Sequence, residues 1–434
     1  MQIVVVGAGQ AGLQTAGSLR ARGFTGQIAL VGDENTLPYQ RPPLSKSYLG
    51  RSADAASLRL RAPLFYQRQR IDLRVGCRVE ELDRASARVR LSTGDWLAYD
   101  GLVLALGAVH RQLDVPGADL KGVCSLRTVA DADVLRAHLD ERRRTIVVIG
   151  AGFVGLEFAA AARTAGHVVT VVEATSQALA RAVSAPVAGH MVALHRERGT
   201  TVLVNRTVRA LHPDADGRVS AVELTDATIL PADLVLMGVG AVARTEVARR
   251  AGLALDNGIA VDSTLRTSDP QILAVGDCAS FPSRRAGARV RLECVQNAVN
   301  QASFAAAQLC VAPDRQSEYD ELPVFSSAQF GENLQIAGTS PTIDLTVAVG
   351  DTVGGHFSVL CYADGVLRSV QSVNQPVDHV AARRLLAGGG GPEPHEASRP
   401  DFALVEYARR ADQFDQSRAA LAKQGSARST RGHS

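Results

Sequence analysis

No two of the six cysteines, Cys77, Cys124, Cys278, Cys294, Cys310 and Cys361, stand within a few residues of each other. The chain therefore has no Cys-x-x-Cys pair, no redox disulfide of neighbouring thiols, no clustered thiolates for an iron–sulfur centre and no metal-ligand spacing. Long apolar runs are also lacking, and none reaches the length of a membrane span. The chain opens directly on an apolar strand, Ile3 to Val6, with no signal-peptide pattern before it, so cytoplasm is the expected compartment. Charge of one sign is lacking as well. Against 47 Lys and Arg stand 44 Asp and Glu, and the net charge of +3 is too small to argue for nucleic acid. What remains is 46% hydrophobic and 21% charged residues over 434 positions, the composition of a globular protein with chain enough for two or three domains.

The chain is organised around residues 145–173. Thr145-Ile-Val-Val-Ile-Gly150-Ala-Gly152-Phe-Val-Gly155-Leu-Glu157 is followed by an Ala-rich segment and then by His167-Val-Val-Thr-Val-Val-Glu173. This predicts a strand, a Gly-x-Gly-x-x-Gly turn, a helix and a second strand ending in an acid, the pattern of a dinucleotide site. Gly150 allows the tight turn, Gly152 lets backbone approach a pyrophosphate, and Gly155 lets helix and strand pack closely. The first helical turn, with Val154 in it, offers unpaired N–H groups to phosphates. Glu173 sits where a carboxylate accepts the hydroxyls of an adenosine ribose. It repels a 2′-phosphate, and Ala174-Thr175-Ser176 brings no arginine to hold one, so NADH is expected rather than NADPH.

A second copy lies at the N-terminus: Gln2-Ile-Val-Val-Val-Gly7-Ala-Gly9-Gln-Ala11-Gly12, a helix through Arg22, and the strand Gln27 to Val31 leading to Asp33, the counterpart of Glu173. Two such folds call for two nucleotides. A hydride taken from NADH needs an acceptor, and FAD is the natural second ligand. The loop Leu37-Pro-Tyr39-Gln-Arg41-Pro42-Pro43-Leu44-Ser45-Lys46 is stiffened by its prolines. It carries Arg41 and Lys46 to where cations offset a pyrophosphate or stabilise the N1–C2 edge of a reduced flavin. Its alternative is a solvated loop.

Strands are expected at 72–75, 79–82 and 87–92. Leu102 to Ala108 reads as a buried strand whose small residues, Ala105 and Gly107, let a cofactor lie against bare backbone. Asp233 to Gly240, with Gly238, reads as another buried strand and its partner, and Ile272 to Ala279, with Gly276 and Asp277, as a third. Asp277 is read as facing a ribityl hydroxyl or the pyrophosphate, with a helix N-cap as a role it can hold instead or at the same time, and Cys278 as a packing residue. Arg142, Arg143 and Arg144 are expected to be a solvated helix end. A helix is expected over 184–198, a hairpin turning at Asp216-Gly217, and a helix that Arg291 to Ala298 leads into and that runs through Leu309. From Pro323 short strands follow, at 325–330, 334–338, 345–349, 356–361 and 366–373, with a hairpin turn at Ala363-Asp364-Gly365 and a helix from about Pro376 to Leu386. After Gly388–Pro392, the stretch from about Arg409 has six basic and two acidic residues and reads as a disordered tail or a basic arm.

The expected fold class is α/β, with two Rossmann-like dinucleotide-binding domains for FAD and NAD in a glutathione-reductase-like arrangement and a C-terminal α+β domain. The expected boundaries are 1–112 and 242–321 for the two parts of the FAD domain, 113–241 for the NAD domain, 322–408 for the C-terminal domain and 409–434 for the tail.

The chain resembles the FAD-dependent, NADH-linked ferredoxin reductases of oxygenase systems over about residues 1–405. The resemblance rests on Val6–Gly12, Pro38–Lys46, Gly150–Glu157, Val275-Gly-Asp-Cys-Ala279, Arg291-Leu-Glu-Cys-Val-Gln-Asn-Ala298 and Ser372-Val-Asn-Gln-Pro376. It implies FAD contacts at Ala11, Asp33, Lys46, Val79, Arg127, Asp277 and Val295. It puts Glu157 near nicotinamide and flavin, and Glu293 near the isoalloxazine; with Lys46 these are the implied catalytic residues. The implied circuit takes a hydride from NADH to flavin N5 and passes single electrons to a [2Fe–2S] ferredoxin that serves a cytochrome P450 or a Rieske oxygenase.

Two departures stand out. The family's Pro-Trp-Phe-Trp-Ser-(Asp/Glu)-Gln-Tyr motif is Pro323-Val-Phe325-Ser326-Ser327-Ala328-Gln329-Phe330 here, and the single tryptophan is Trp96. The family's Gly-x-x-Pro-Asn is Gly240-Ala-Val-Ala-Arg244. The first departure bears on the side where electrons leave. Two other readings therefore stand beside ferredoxin reduction: an NADH-dependent flavin reductase with a small-molecule acceptor, and a non-enzymatic flavoprotein like the apoptosis-inducing factors. A disulfide substrate is not expected, because the first helix carries no Cys-x-x-x-x-Cys.

Overall fold

The computed structural model describes residues 1–311, 317–340, 342–411 and 413. The chain divides into two compact units, one spanning Met1–Gly331 and the other beginning at Glu332.

The first unit is built on two parallel five-stranded sheets. One has the order Ile272–Ala274, Gly101–Leu104, Gln2–Val6, Gln27–Val31, Ile71–Arg74. The other has the order Thr201–Leu203, Val168–Val172, Thr145–Ile149, Leu234–Met237, Val123–Cys124. The central strands of both sheets are almost wholly buried. That explains their unbroken Val/Ile/Leu runs, since a parallel sheet covered on both faces has no polar side to alternate with. The helices Gln10–Ala21 and Phe153–Thr164 start at the C-terminal ends of the first strands of their sheets, where ligands bind in such folds.

The strands expected within 71–99 divide between two sheets. Ile71–Arg74 joins the first parallel sheet beside Gln27–Val31, while Val79–Asp83, Arg88–Leu91 and Trp96–Ala98 form a separate antiparallel sheet. The buried strand expected over 102–108 stops at Leu104, and its neighbours are Gln2–Val6 and Ile272–Ala274, not the expected 233–240, whose Leu234–Met237 lies in the second sheet. Gly107, at φ 69°, breaks its path, and Ala108–His110 pairs antiparallel with Ala241–Ala243. The arginines at 142–144 are not all solvated. Arg142 and Arg143 are exposed, but Arg144 is buried, its Nε donating to the His138 carbonyl at 2.6 Å and its backbone N–H to His167 Nδ1 at 3.1 Å. Composition alone shows three like charges and not this inward turn.

In the second unit, antiparallel strands run in the order Glu332–Gly338, Val366–Val373, His356–Ala363, Leu345–Asp351. The hairpin at Asp364-Gly365 has positive φ at both residues, 53° and 73°, as a tight primed turn requires. The helix Pro376–Ala387 packs Ala382, Leu385 and Leu386 on this sheet. Residues 404–411 are helical, so the first positions assigned to the tail continue a helix. The rest of the expected tail, 414–434, lies outside the described residues.

Candidate functional site

Both glycine-rich turns are shaped by what a side chain would strike. A Cβ on Gly7 would fall 2.1 Å from the Ala105 carbonyl oxygen, and one on Gly12 1.8 Å from the Gly7 carbonyl oxygen. These two glycines let strand, turn and helix close on each other. A Cβ on Gly9 would meet nothing within 4 Å, so the open side of the turn lies there. The second turn repeats the pattern. Gly150 packs on the Gly238 carbonyl and Gly155 on the Gly150 carbonyl, at 2.6 and 2.2 Å from the missing Cβ. From Gly152 the nearest atom is 3.9 Å away. Gly9 and Gly152 are the N-caps of their helices, and neither first turn carries an acid to compete for its N–H groups. Each turn is thus a free anion cradle.

A cavity of about 550 Å³ extends from the first turn. Of the residues predicted to bind or act, Gly7, Gly9, Ala11, Asp33, Arg41, Lys46, Ala105, Gly107 and Arg127 line it. So do Val154, Glu157, Gly276, Asp277, Glu293 and Val295. Gly12 supports the turn from behind. Val79 is buried in the hydrophobic core and not on the cavity wall. Gly150, Gly152, Gly155, Glu173 and Gly238 build the second turn. There the Glu173 carboxylate accepts from the Ala151 N–H and from the Thr175 N–H and hydroxyl, all at 2.8 Å. These bonds fix its position at the strand end.

The cavity wall is a set of paired charges. Arg127 Nη2 meets Asp277 Oδ2 at 2.6 Å. The N-cap of the short helix Gly276–Cys278 is Val275, so the capping alternative for Asp277 does not hold; its carboxylate faces Arg127. Arg127 Nε is buried without a hydrogen-bond partner, as expected of a wall that receives a polar ligand. Arg41 donates to the Arg127 carbonyl at 2.7 Å, to the Tyr39 hydroxyl at 3.2 Å and to Glu34. Burial alone disfavours its charge, but Tyr39, Glu34 and Asp277 outweigh that and raise its pKa. Burial raises the Tyr39 hydroxyl well above its usual range, so it stays protonated and donates to Glu34. Arg244, which stands in place of the family's asparagine, reaches Asp33 Oδ2 at 2.5 Å.

Glu157 is 6% exposed and fully engaged. Its Oε2 accepts from Ser45 Oγ at 2.5 Å, and its Oε1 accepts from Ser327 Oγ at 2.6 Å and faces Lys46 Nζ at 3.2 Å. Ser45 and Ser327 lie in quoted motifs, but sequence gives no sign that segments 112 and 170 positions from Glu157 converge on it. Glu293 is paired with Arg291 at 2.6 Å. Burial pushes the Cys278 and Cys294 thiols up to about 11, so both are neutral and unreactive near pH 7. Cys278 is fully buried with its sulfur on the Leu104 and Val275 carbonyls, the packing role expected of it. Val324, Phe325 and Ser326 close one end of the cavity.

Residues 1–302 match the pyridine nucleotide-disulphide oxidoreductase family, and residues 324–408 match the reductase C-terminal family. The chain belongs to the pyridine nucleotide-disulphide oxidoreductase family. The chain is 45% identical to rhodocoxin reductase of Rhodococcus erythropolis over 404 residues, 93% of each chain. Among solved structures, the ferredoxin reductase for the CYP199A2 system of Rhodopseudomonas palustris matches with a TM-score of 0.90 and 41% identity, covering 94% of this chain and 99% of that one. Putidaredoxin reductase in its covalent complex with putidaredoxin matches with a TM-score of 0.90 and 37% identity, covering 95% and 99%. As a member of this oxidoreductase family the chain is an enzyme that uses FAD and a nicotinamide dinucleotide. The residues present fit both groups: two open glycine cradles, an acid at the end of each second strand, and an orphaned Arg127 nitrogen on the cavity wall. Among the described residues no helix is long and apolar enough to cross a membrane.

Proposed function

We propose that the chain is an NADH-dependent reductase that delivers electrons through FAD to a ferredoxin, of the [2Fe–2S] type implied by the sequence resemblance. The ferredoxin in turn serves a cytochrome P450 or Rieske oxygenase. The observation that carries this reading is the convergence of Lys46 and Glu157 on one cavity wall, between the first glycine turn and the helix that starts the second. The near-full-length likeness to reductases of ferredoxin-linked systems supports the choice of acceptor. The free state of all six cysteines agrees with work in the cytoplasm, where thiols stay reduced.

Bound FAD supplies the conversion of a two-electron hydride into single electrons. The protein does the rest. Gly9 and the first turn of Gln10–Ala21 would receive the flavin pyrophosphate, and Asp33 would hold the adenosine ribose. Gly152 and the first turn of Phe153–Thr164 would receive the pyrophosphate of the nicotinamide dinucleotide. Glu173, repelling a 2′-phosphate, selects NADH. Glu157 holds the Lys46 ammonium on the cavity wall, where it would set a cation beside the flavin. Val154, on the same helix as Glu157, lines the cavity and would pack against the nicotinamide. Val324, Phe325 and Ser326 stand on the side where electrons leave.

The test is anaerobic. Protein reduced with one equivalent of NADH is mixed rapidly with a [2Fe–2S] ferredoxin from the same genome. Flavin reoxidation with matching ferredoxin reduction is the expected result. A flavin that reduces readily and then stays reduced would overturn the ferredoxin reading. It would favour a small-molecule acceptor at 324–326, where valine and serine stand in place of the family's tryptophans.

A further inference from the structure

The Glu157 carboxylate is the end of a buried hydrogen-bond chain that leaves the cavity altogether. Ser327 Oγ lies 2.6 Å from Glu157 Oε1, Gln329 Nε2 lies 3.1 Å from Ser327 Oγ, and His195 Nε2 lies 2.9 Å from Gln329 Oε1. Behind it, Thr200 Oγ1 lies 3.4 Å from His195 Nδ1. Every member is hidden: His195 is 0%, Gln329 1%, Ser327 2% and Thr200 2% exposed. Neither His195 nor Gln329 touches the cavity. His195 sits in the last turn of Ala185–Glu197, and the ring of Phe330 meets it edge-on, centroids 5.0 Å apart.

Donor and acceptor rules leave this chain one direction. A carboxylate only accepts, so Ser327 must donate its proton to Glu157. The Ser327 oxygen then accepts from the Gln329 amide nitrogen, which turns the amide oxygen toward His195. That oxygen needs a donor, so His195 carries its proton on Nε2, and the bare Nδ1 faces the Thr200 hydroxyl. All four donors point toward Glu157. Aligned chains of this kind polarise one another in a low-dielectric interior, and each link restricts the rotamers of the next. A histidine is a costly group to bury in a core, and one that merely filled space would not need its proton on a particular nitrogen.

We propose that His195 is a positioning residue for Glu157. Acting through Gln329 and Ser327, it holds the carboxylate in the one orientation that faces Lys46. The inference rests on the reading of Lys46 and Glu157 given above. It places a determinant of hydride acceptance on the helix Ala185–Glu197, outside the cavity. The chain also explains why Ser327 and Gln329 are present in a segment whose neighbours Val324, Ser326 and Ala328 depart from the family motif.

The experiment compares His195→Leu, His195→Gln and Glu157→Gln as FAD-loaded proteins in anaerobic stopped flow with NADH. It is paired with 15N spectra of histidine-labelled protein with and without FAD. Glutamine can offer an amide N–H close to where Nε2–H was; leucine cannot. His195→Leu is expected to lower the limiting rate of flavin reduction about fivefold, the worth of one net hydrogen bond, with half-saturating NADH unchanged. His195→Gln is expected to stay within about twofold of the parent. The 15N spectra are expected to show His195 as the neutral Nε2–H tautomer at pH 7 in both FAD states, whatever the rates. Equal slowing in the leucine and glutamine variants would reduce His195 to packing and overturn the proposal, as would an Nδ1–H tautomer. If Glu157→Gln slows reduction while His195→Leu does not, the positioning role alone is wrong. If Glu157→Gln itself leaves reduction unchanged, the fault lies in the reading of Glu157, and the positioning role falls with it.

Discussion

Arg244 Nη1 and Asp33 Oδ2 lie 2.5 Å apart, joining residues 211 positions distant in the chain. The arginine stands where the resembling family carries asparagine, and it also lines the cavity. Asp33 follows the second strand of the first nucleotide fold by two residues, and one of its oxygens is held by Arg244, which leaves the other for the ribose of the proposed FAD site. Both partners are about one-third exposed, at 37% and 35%, and a pair at that exposure is worth at most about 1 kcal/mol. Arg244→Ala is therefore expected to raise the FAD dissociation constant only about two- to fivefold. Fluorescence titration of the FAD-free protein measures this. A change beyond tenfold would mean that Arg244 contacts the cofactor itself, and no change would show that Asp33 orients without help.

Glu173 is fixed by three hydrogen bonds from Ala151 and Thr175. Glu173→Arg removes the charge that repels a 2′-phosphate and adds one that attracts it. The ratio of kcat/KM for NADPH to that for NADH is expected to rise by at least about tenfold. NADH use should fall at the same time, because the loop loses the acceptor for its own N–H groups. Steady-state kinetics with an artificial one-electron acceptor measures both. An unchanged ratio would place the ribose elsewhere.

The parallel sheets were legible because burial on both faces writes itself as uninterrupted Val/Ile/Leu runs, and the glycine turns because only glycine tolerates the approach of Gly7 to Ala105 and of Gly150 to Gly238. Elements whose course is set by tertiary contact were not legible. Arg144 looks like its two solvated neighbours until His138 and His167 are seen to receive it. Asp277 is of the right type for a helix cap, but the short helix begins at Gly276 with Val275 as its cap, and the Asp277 carboxylate turns to Arg127. The site follows the same division. Lys46 and Glu157 could be singled out from their motifs, but the serines that hold Glu157 come from two distant segments, and hydroxyls carry no periodic signal. His195 has no local sequence context that would separate it from an ordinary helix-end histidine.

Ser326 lines the cavity between Phe325 and Ser327, whose hydroxyl is committed to Glu157. The family's tryptophan at this position would add a large aromatic surface at the exit side. Ser326→Trp is expected to speed transfer to ferredoxin several-fold, on the order of 1 kcal/mol of barrier, if the missing ring limits that step. Flavin reduction by NADH should be unaffected, because Ser326 makes no bond to Glu157 or Lys46. Stopped flow with separate flavin and ferredoxin wavelengths distinguishes the steps. A slowed flavin reduction would show that the added ring crowds the nicotinamide instead.

Burial lowers the pKa of His167 and of His195, with Arg144 and Arg143 lowering that of His167 further and the hydrogen bond to Gln329 partly opposing the shift at His195. The sign for stability follows directly. Below about pH 6.5 the unfolded chain binds protons on these rings while the folded chain does not. Stability is therefore fully present above that value and declines as pH falls toward the lowered folded values. The slope reaches at most about 1.4 kcal/mol per pH unit for each ring. His379 in the second unit is lowered by burial in the same sense, with Arg383 adding to the shift. The thermal midpoint is expected to hold between pH 7.5 and about 6.5 and to drop from there to pH 5.5, and His195→Gln should make that drop shallower even where it lowers the midpoint at pH 7.5. Thermal melts of both proteins across this range measure it. Parallel curves for parent and variant would mean that His195 takes up its proton as readily folded as unfolded, which its place in the core does not allow unless the surrounding core opens.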